Sequence, residues 1–254
     1  MKPKILIVND DGIYSPGIQA LSDAMIKIGE VTIVAPDKEQ SAKSHSISLT
    51  NPIRLKSLKL KNGLEGWAVD GTPVDCTKIA LQELLNQKPD LIISGINQGA
   101  NLGHNLVYSG TISAAYEGAI LDIPSAAISL DTLEGKNFSG SKYVATTIAK
   151  HLLNHAPPKG TMLNVNVPNV SKKDLKGFVI TRQGNQIFKD TFEKRIDPRG
   201  HDYFWIKGEM INQDSSIDYD GKAVSSGYVS ITPIHYNITN EPFLDDLRLQ
   251  FLDG

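Results

Sequence analysis

The chain has 254 residues, with 26 Lys+Arg against 28 Asp+Glu for a formal charge of −2, 40% hydrophobic residues and one cysteine. Length and apolar content suit a folded chain with a sizeable core, not a disordered one. Near-neutrality excludes the broad basic face that a nucleic-acid duplex demands, and the lone Cys76 excludes an internal disulfide, a zinc finger or an iron–sulfur cluster.

Residues 5–8 form a short, continuously apolar run, as expected of a strand buried on both faces. Ser15-Pro16-Gly17 then opens a helix with Ile18, Leu21, Met25 and Ile28 on one stripe, ended by Gly29. Residues 31–35 predict a second buried strand, stopped by Pro36-Asp37. Residues 53–70 read as two weaker antiparallel strands, 73–86 as a helix, 91–93 as a third buried strand and 111–121 as a helix rich in small residues. A strand at 126–130 and a helix at 143–155 follow. Such alternation predicts an α/β fold with a mostly parallel sheet and helices on both faces.

The second half has a different texture. Short strands are expected at 162–167, 178–182, 203–207 and 228–233, separated by polar stretches that include a charged arm at 189–201. The terminal segment, 242–252, predicts an amphipathic helix with Leu244, Leu247 and Phe251 on one side, a face that docks on its own core or on a partner subunit. A cytoplasmic setting is expected: the apolar run before Asn9 is too short for a signal-peptide core, and no run approaches the roughly 20 apolar residues of a membrane span.

Ligands of a doubly wound sheet sit beyond the carboxyl ends of its parallel strands. There the sequence places Asn9, Asp10, Asp11 and Gly12 after the first strand, Asp37 to Ser41 after the second, and Ser94-Gly95-Ile96-Asn97 after the third. Taken singly, Asp-Asp-Gly is a common turn and Ser or Asn a common cap. Two adjacent carboxylates where a buried strand emerges, however, require a cation or a shared proton. With a hydroxyl and an amide oxygen they form a set of hard oxygen donors suited to Mg²⁺ or Mn²⁺.

The stretch from Ser94 to Gly103, followed by Tyr108-Ser109-Gly110-Thr111, has the outline of a phosphate cradle, because glycines admit close backbone approach and a helix start presents free N–H groups. It is neither a Walker loop nor a dinucleotide fingerprint, and the same residues would also serve an ordinary capped helix packed tightly on a sheet. Phosphate or substrate contacts are expected at Asn9, Gly99, Asn101, Ser109, Gly110 and Thr111. Cation and cradle together are the apparatus of phosphomonoester hydrolysis, with Asp10 or Asp11 ligating the ion, orienting water or attacking directly.

The ordered set Asn9-Asp10-Asp11-Gly12, Ala35-Pro36-Asp37 with Gln40-Ser41, Gly71-Thr72-Pro73 with Asp75-Cys76, Ser94-Gly95-Ile96-Asn97 with Gly99 and Asn101, and Tyr108-Ser109-Gly110-Thr111 resembles the SurE survival-protein family. Agreement continues at residues 164–168, 181–183 and 227–233, so the resemblance spans essentially the whole chain. It implies a metal-dependent nucleotidase acting on nucleoside 5′- and 3′-monophosphates, with short polyphosphate as a side substrate. It also implies one divalent ion per subunit on Asp10, Asp11, Ser41 and Asn97. Within a single domain over 1–254, it implies a Rossmann-like core at 1–135 carrying the site. An extension at 136–254 would join subunits into a homodimer or homotetramer through an arm at about 189–225 and the terminal helix. One departure is that the family usually has Gly before the His that follows Ser41, whereas this chain reads Lys43-Ser44-His45. His45 reads as a loop or capping histidine and His104, in the glycine-rich stretch, as a solvated one within approach of a phosphate; His151, His155, His201 and His235 show no metal-ligand spacing, and none of the six is assigned chemistry.

Two other classes compete. A Mg²⁺-binding phospho-acceptor domain also pairs acids after its first strand, but it needs a third Asp after a central strand where this chain has Ser94-Gly95-Ile96-Asn97. A nucleotide-binding module without turnover is the other.

Overall fold

Strands whose residues are apolar on both sides must be covered on both faces, and a parallel sheet with helices above and below meets that demand. A computed structural model describes residues 2–135 and 137–252. In chain order the elements are β1 (Lys4–Val8), α1 (Pro16–Met25), β2 (Glu30–Pro36), β3 (Leu55–Lys59), β4 (Glu65–Val69), α2 (Pro73–Ile79), β5 (Leu91–Gln98), α3 (Gly110–Ile120), β6 (Ser125–Asp131) and α4 (Ser139–Asn154). Then come β7 (Thr161–Pro168), β8 (Phe178–Ile180), β9 (Ile187–Ile196), β10 (Asp202–Ile211), α5 (Asp220–Ser225), β11 (Val229–His235) and α6 (Glu241–Leu252).

The main sheet has nine strands in the order β3-β4-β2-β1-β5-β6-β7-β11-β8. From β4 through β7 every neighbouring pair is parallel, while β3 pairs antiparallel with β4 and β11 antiparallel with β7. The sheet therefore runs without a break from the first half of the chain into the second, and β8 closes its far edge parallel to β11.

Strand alternation sorts the core into two layers. Ile5, Ile7, Ile33 and Ile93 face α1 and α4, meeting Ile18, Leu21, Met25, Val144, Ile148 and Leu152. Leu6, Val8, Val34 and Ile92 face the other way, onto Cys76, Ala80 and Ala114 from the α2 and α3 side. Ser15 accepts the Ile18 amide to cap α1, and Thr72 forms a reciprocal capping box with Asp75 at the start of α2.

Four expectations need revision. The predicted helix at 73–86 ends as α-helix at Ile79 and continues as a single π turn, Ala80–Leu84, whose Leu81 and Leu84 pack on the lower layer. The third strand does not stop at residue 93: Gly95, at φ 137°, makes a bulge that carries β5 on to Gln98, and a Cβ there would collide with the Ile128 carbonyl. The fourth helix starts at Ser139, four residues before its expected start at 143. Finally, the charged arm at 189–201 is half of a hairpin, in which β9 and β10 pair antiparallel from Ile187↔Ile211 to Ile196↔Asp202. Its charges interleave with apolar residues on a ribbon that stands apart from the main sheet, leaving Phe192, Ile196, Phe204, Trp205 and Ile206 exposed. Along α6, Phe243, Leu249 and Phe251 are exposed too.

Candidate active site

The carboxyl ends of β1, β2 and β5 lie side by side, because these three strands are consecutive neighbours in the sheet. Backbone bonds tie the segments leaving β1 and β2 together: the Ile13 amide donates to the Pro36 carbonyl at 2.8 Å and the Gln40 amide to the Asp10 carbonyl at 2.8 Å. The segment leading to Ser41 is thereby fastened to the turn that bears Asp10.

Asp10 is 4% exposed. Its Oδ1 accepts the Thr111 hydroxyl in a short hydrogen bond, which joins the end of β1 to the first turn of α3 across a sequence separation of 101. Between them sits Gly110, where a Cβ would stand 2.8 Å from the Asp10 Cβ and 2.9 Å from Pro73 Cγ. Glycine is required there by space: it lets the amide-rich start of α3 reach the carboxylate. Ser109 caps the helix, its Oγ accepting the Ile112 amide at 3.2 Å.

Asp11 is half-buried, and its Oδ2 accepts the Gln98 amide at the end of β5 at 3.3 Å. Burial drives the Asp10 carboxyl above its ordinary range, a rise partly offset by the Thr111 hydroxyl. Burial and then the neighbouring Asp10 charge push Asp11 up to about 7, and Glu39 adds to the repulsion on both. Among the described residues no Lys, Arg or His lies within ion-pair distance of either carboxylate.

The remaining expected residues occupy distinct places. Ser41 is exposed and donates to Glu39 Oε1 at 2.7 Å, leaving its oxygen lone pairs available. Asn97 is half-buried on β5 next to Gln98, its amide nitrogen donating to the Gly99 carbonyl at 2.7 Å, which leaves the amide oxygen as an acceptor. Asn9 is fully buried and braces the turn from inside, donating to the Gly12 carbonyl at 3.1 Å and Ser15 Oγ at 2.8 Å, with no hydrogen-bond partner for its Oδ1 among the described residues. Asn101 is drawn into an interior network: its side chain donates to Ser129 Oγ, its own amide donates to Asn166 Oδ1, and its carbonyl accepts from Asn164 and Asn166. The direct contacts thus join Asp10 with Thr111 and Gly110, whereas the side-chain amide nitrogens of Asn9 and Asn101 are committed to holding loops.

Glu39, one of the residues 37–41 that follow the second strand, accepts the Ser41 hydroxyl and adds its charge to the repulsion on both aspartates, contacts that its place in the sequence did not reveal. Glu117 gave less warning. It is buried on α3, where burial works against its charge, but hydrogen bonds from His45 and Lys78 outweigh that and hold it below the ordinary glutamate range.

Among the described residues no group of three His, Cys, Asp or Glu converges. The oxygen set on offer comprises two carboxylates with unrelieved repulsion, a hydroxyl and an amide oxygen. Its charge and hardness fit a divalent Mg²⁺- or Mn²⁺-type ion.

An α/β sheet with paired acids at the end of its first strand, facing the start of a glycine-opened helix, has the doubly wound arrangement, whose ligands bind beyond the carboxyl ends of the strands. The sequence matches the family described as survival protein SurE over residues 5–190. It is 43% identical over 250 residues to "5'-nucleotidase SurE" of Carboxydothermus hydrogenoformans, covering 96% of this chain and 95% of that protein. The protein of the same name from Syntrophus aciditrophicus is 43% identical over 246 residues, covering 96% and 92%. The crystal structure of the SurE protein from Aquifex aeolicus superposes with a TM-score of 0.84 at 42% identity, covering 98% of this chain and 99% of that one. This chain belongs to the SurE family.

Proposed function

We propose that the chain is a 5′-nucleotidase, a phosphoric monoester hydrolase that cleaves nucleoside 5′-monophosphates to nucleoside and phosphate, depends on a divalent metal ion, and also accepts 3′-monophosphates and short polyphosphate. The observation that supports this reading best is the meeting of Asp10 with the first turn of α3: an acidic pair with no cationic side chain beside it stands against a Ser109-capped helix start whose Thr111 reaches Asp10. The SurE relatives named as 5′-nucleotidases support the same activity.

In this reading Asp10, Asp11, Ser41 and Asn97 hold one Mg²⁺ or Mn²⁺ per subunit, which supplies Lewis-acid polarisation of phosphoryl oxygens when bound. Ser109, Gly110 and Thr111 at the start of α3 receive the phosphoryl group, oriented by the helix dipole. Thr111 fixes one oxygen of Asp10 and the Gln98 amide fixes one of Asp11, so each carboxylate presents a defined second oxygen. Gly99, Asn9 and Asn101 shape the surrounding loops. The exposed apolar faces of the β9–β10 hairpin and α6 support a homodimer or homotetramer assembled through these two segments. A cytoplasmic location is consistent with the single buried Cys76; among the described residues no helix is long and apolar enough to cross a membrane.

The test is release of inorganic phosphate from a panel of nucleoside 5′- and 3′-monophosphates with Mg²⁺, Mn²⁺ or EDTA. Metal-dependent release is expected, and no release from any monophosphate with either ion would refute the proposal.

A further inference from the structure

The loop that carries Ser41 has an unusual backbone. Ala42 and Ser44 lie at φ 57° and 55°, in the left-handed region that residues with a Cβ seldom adopt. Ser44 occupies the position where the family usually has Gly, and the left-handed φ is the reason a glycine suits it. Something must hold these residues there. Ser44 donates its amide to the Tyr108 carbonyl at 3.0 Å and its hydroxyl to the Val107 carbonyl at 2.7 Å, bonds that a glycine would only half replace.

The next residue makes the stronger tie. His45 Nε2 lies 2.7 Å from Glu117 Oε1, and Lys78 Nζ lies 2.8 Å from Glu117 Oε2. The Tyr116 ring meets His45 edge-on at 5.7 Å. Glu117 projects from a helix otherwise built of small and apolar residues, with its side chain 5% exposed. A buried carboxylate with two partners is a poor source of net stability compared with an apolar side chain of similar size, so its value lies in geometry. It joins α2, α3 and the loop at one point.

We infer that His45, held by a Glu117 that Lys78 fixes from its other oxygen, is a positioning residue that keeps the Ser41 loop beside the Asp10–Asp11 pair, so that Ser41 stands ready as a metal ligand. Ser41 sits between two anchors, the Gln40 amide on the Asp10 carbonyl and the attachment of Ser44 to the segment before α3 and of His45 to Glu117 on α3. Freeing the second anchor lets the strained residues relax and removes Ser41 from its place. The inference rests on the metal-dependent reading above.

The experiment titrates Mn²⁺ calorimetrically into the wild-type chain, His45→Ala, His45→Gln and Glu117→Gln, and follows amide exchange at Ser44 in the metal-free proteins. His45→Ala is expected to weaken Mn²⁺ binding about 10-fold, in line with loss of groups that orient metal ligands. It should also speed Ser44 exchange while leaving the melting temperature near the wild-type value, since His45 is 35% exposed. Glu117→Gln, which keeps the volume and one acceptor oxygen but loses the charge and the second, should move both readouts the same way by less than His45→Ala does. His45→Gln, whose amide still reaches Glu117, should recover most of the affinity. Mn²⁺ binding and Ser44 exchange unchanged in His45→Ala, or no recovery in His45→Gln, would overturn the latch while leaving the metal reading intact. A wild-type chain that takes up no Mn²⁺ would instead overturn that reading, and the latch's purpose with it.

Discussion

Replacing Asp11 by Asn in the metal-free chain isolates the repulsion built into the site. In the folded chain the Asp11 carboxyl titrates at about 7, against an ordinary 3.8, chiefly through burial and the Asp10 charge. A carboxyl raised in the folded state binds its proton more tightly there than in the unfolded chain. Its contribution therefore favours the fold fully below pH 3.8 and is lost as pH rises to about 7. At about 1.4 kcal/mol per pH unit, the loss above pH 7 is on the order of 4 kcal/mol at most. Solvent reaches this half-buried group, and a discounted figure of about 2 kcal/mol is the working magnitude. For a chain of this size about 1 kcal/mol moves Tm by roughly 2–4 °C. Asn keeps the shape and still accepts the Gln98 amide. Metal-free Asp11→Asn should thus melt roughly 4–8 °C above the wild type at pH 8, with the gap nearly closing at pH 4. Mn²⁺ should then raise the wild-type Tm and leave that of the variant unchanged. Melting curves in EDTA and in Mn²⁺ at the two pH values make the comparison. An Asp11→Asn chain that melts at or below the wild type at pH 8 in EDTA would refute the claim that this pair is poised for a cation.

Asp10→Asn should abolish phosphate release and Mn²⁺ binding with little change in circular dichroism, because the Thr111 hydroxyl keeps an acceptor; full turnover at saturating Mn²⁺ would reject Asp10 as a ligand. Gly110→Ala puts a Cβ 2.8 Å from that of Asp10, so α3 must retreat, and kcat/KM should fall about 100-fold, the scale of loss that accompanies a misplacement near 1 Å. Undiminished kcat/KM would show that close approach of α3 is unnecessary. Ser109→Ala removes the cap, lowering stability by about 1 kcal/mol. In calorimetric titrations it should weaken inorganic phosphate binding more than Mn²⁺ binding, and the reverse order would place Ser109 with the metal instead.

How far the sequence could be read depended on the range of the interaction. Residues that act through position along the chain were legible. Ile5, Ile7 and Ile33 announce buried strands because both faces of a parallel strand need apolar cover. Asp10, Asp11, Ser41 and Asn97 could be picked out because each follows or lies near the carboxyl end of such a strand, where the architecture leaves room for ligands. Hidden from view were contacts between distant segments. No local pattern says that the Thr111 hydroxyl reaches Asp10, that the Asn101 side chain turns inward to Ser129, or that Glu117 on a small-residue helix meets His45.

The sequence by itself settled the α/β class, the alternation of elements through the first half and the acids at its strand ends, since these follow from periodicity and punctuation within a few residues. Tertiary structure alone decided that β5 runs on through a glycine bulge to Gln98, that the charged arm is half of a ten-pair hairpin, and that Gly110 is needed for lack of space. Each of these depends on which distant atoms stand opposite: the Ile128 carbonyl, the Asp202–Ile211 strand and the Asp10 Cβ. The free-energy difference lies in that pairing, which linear order does not contain.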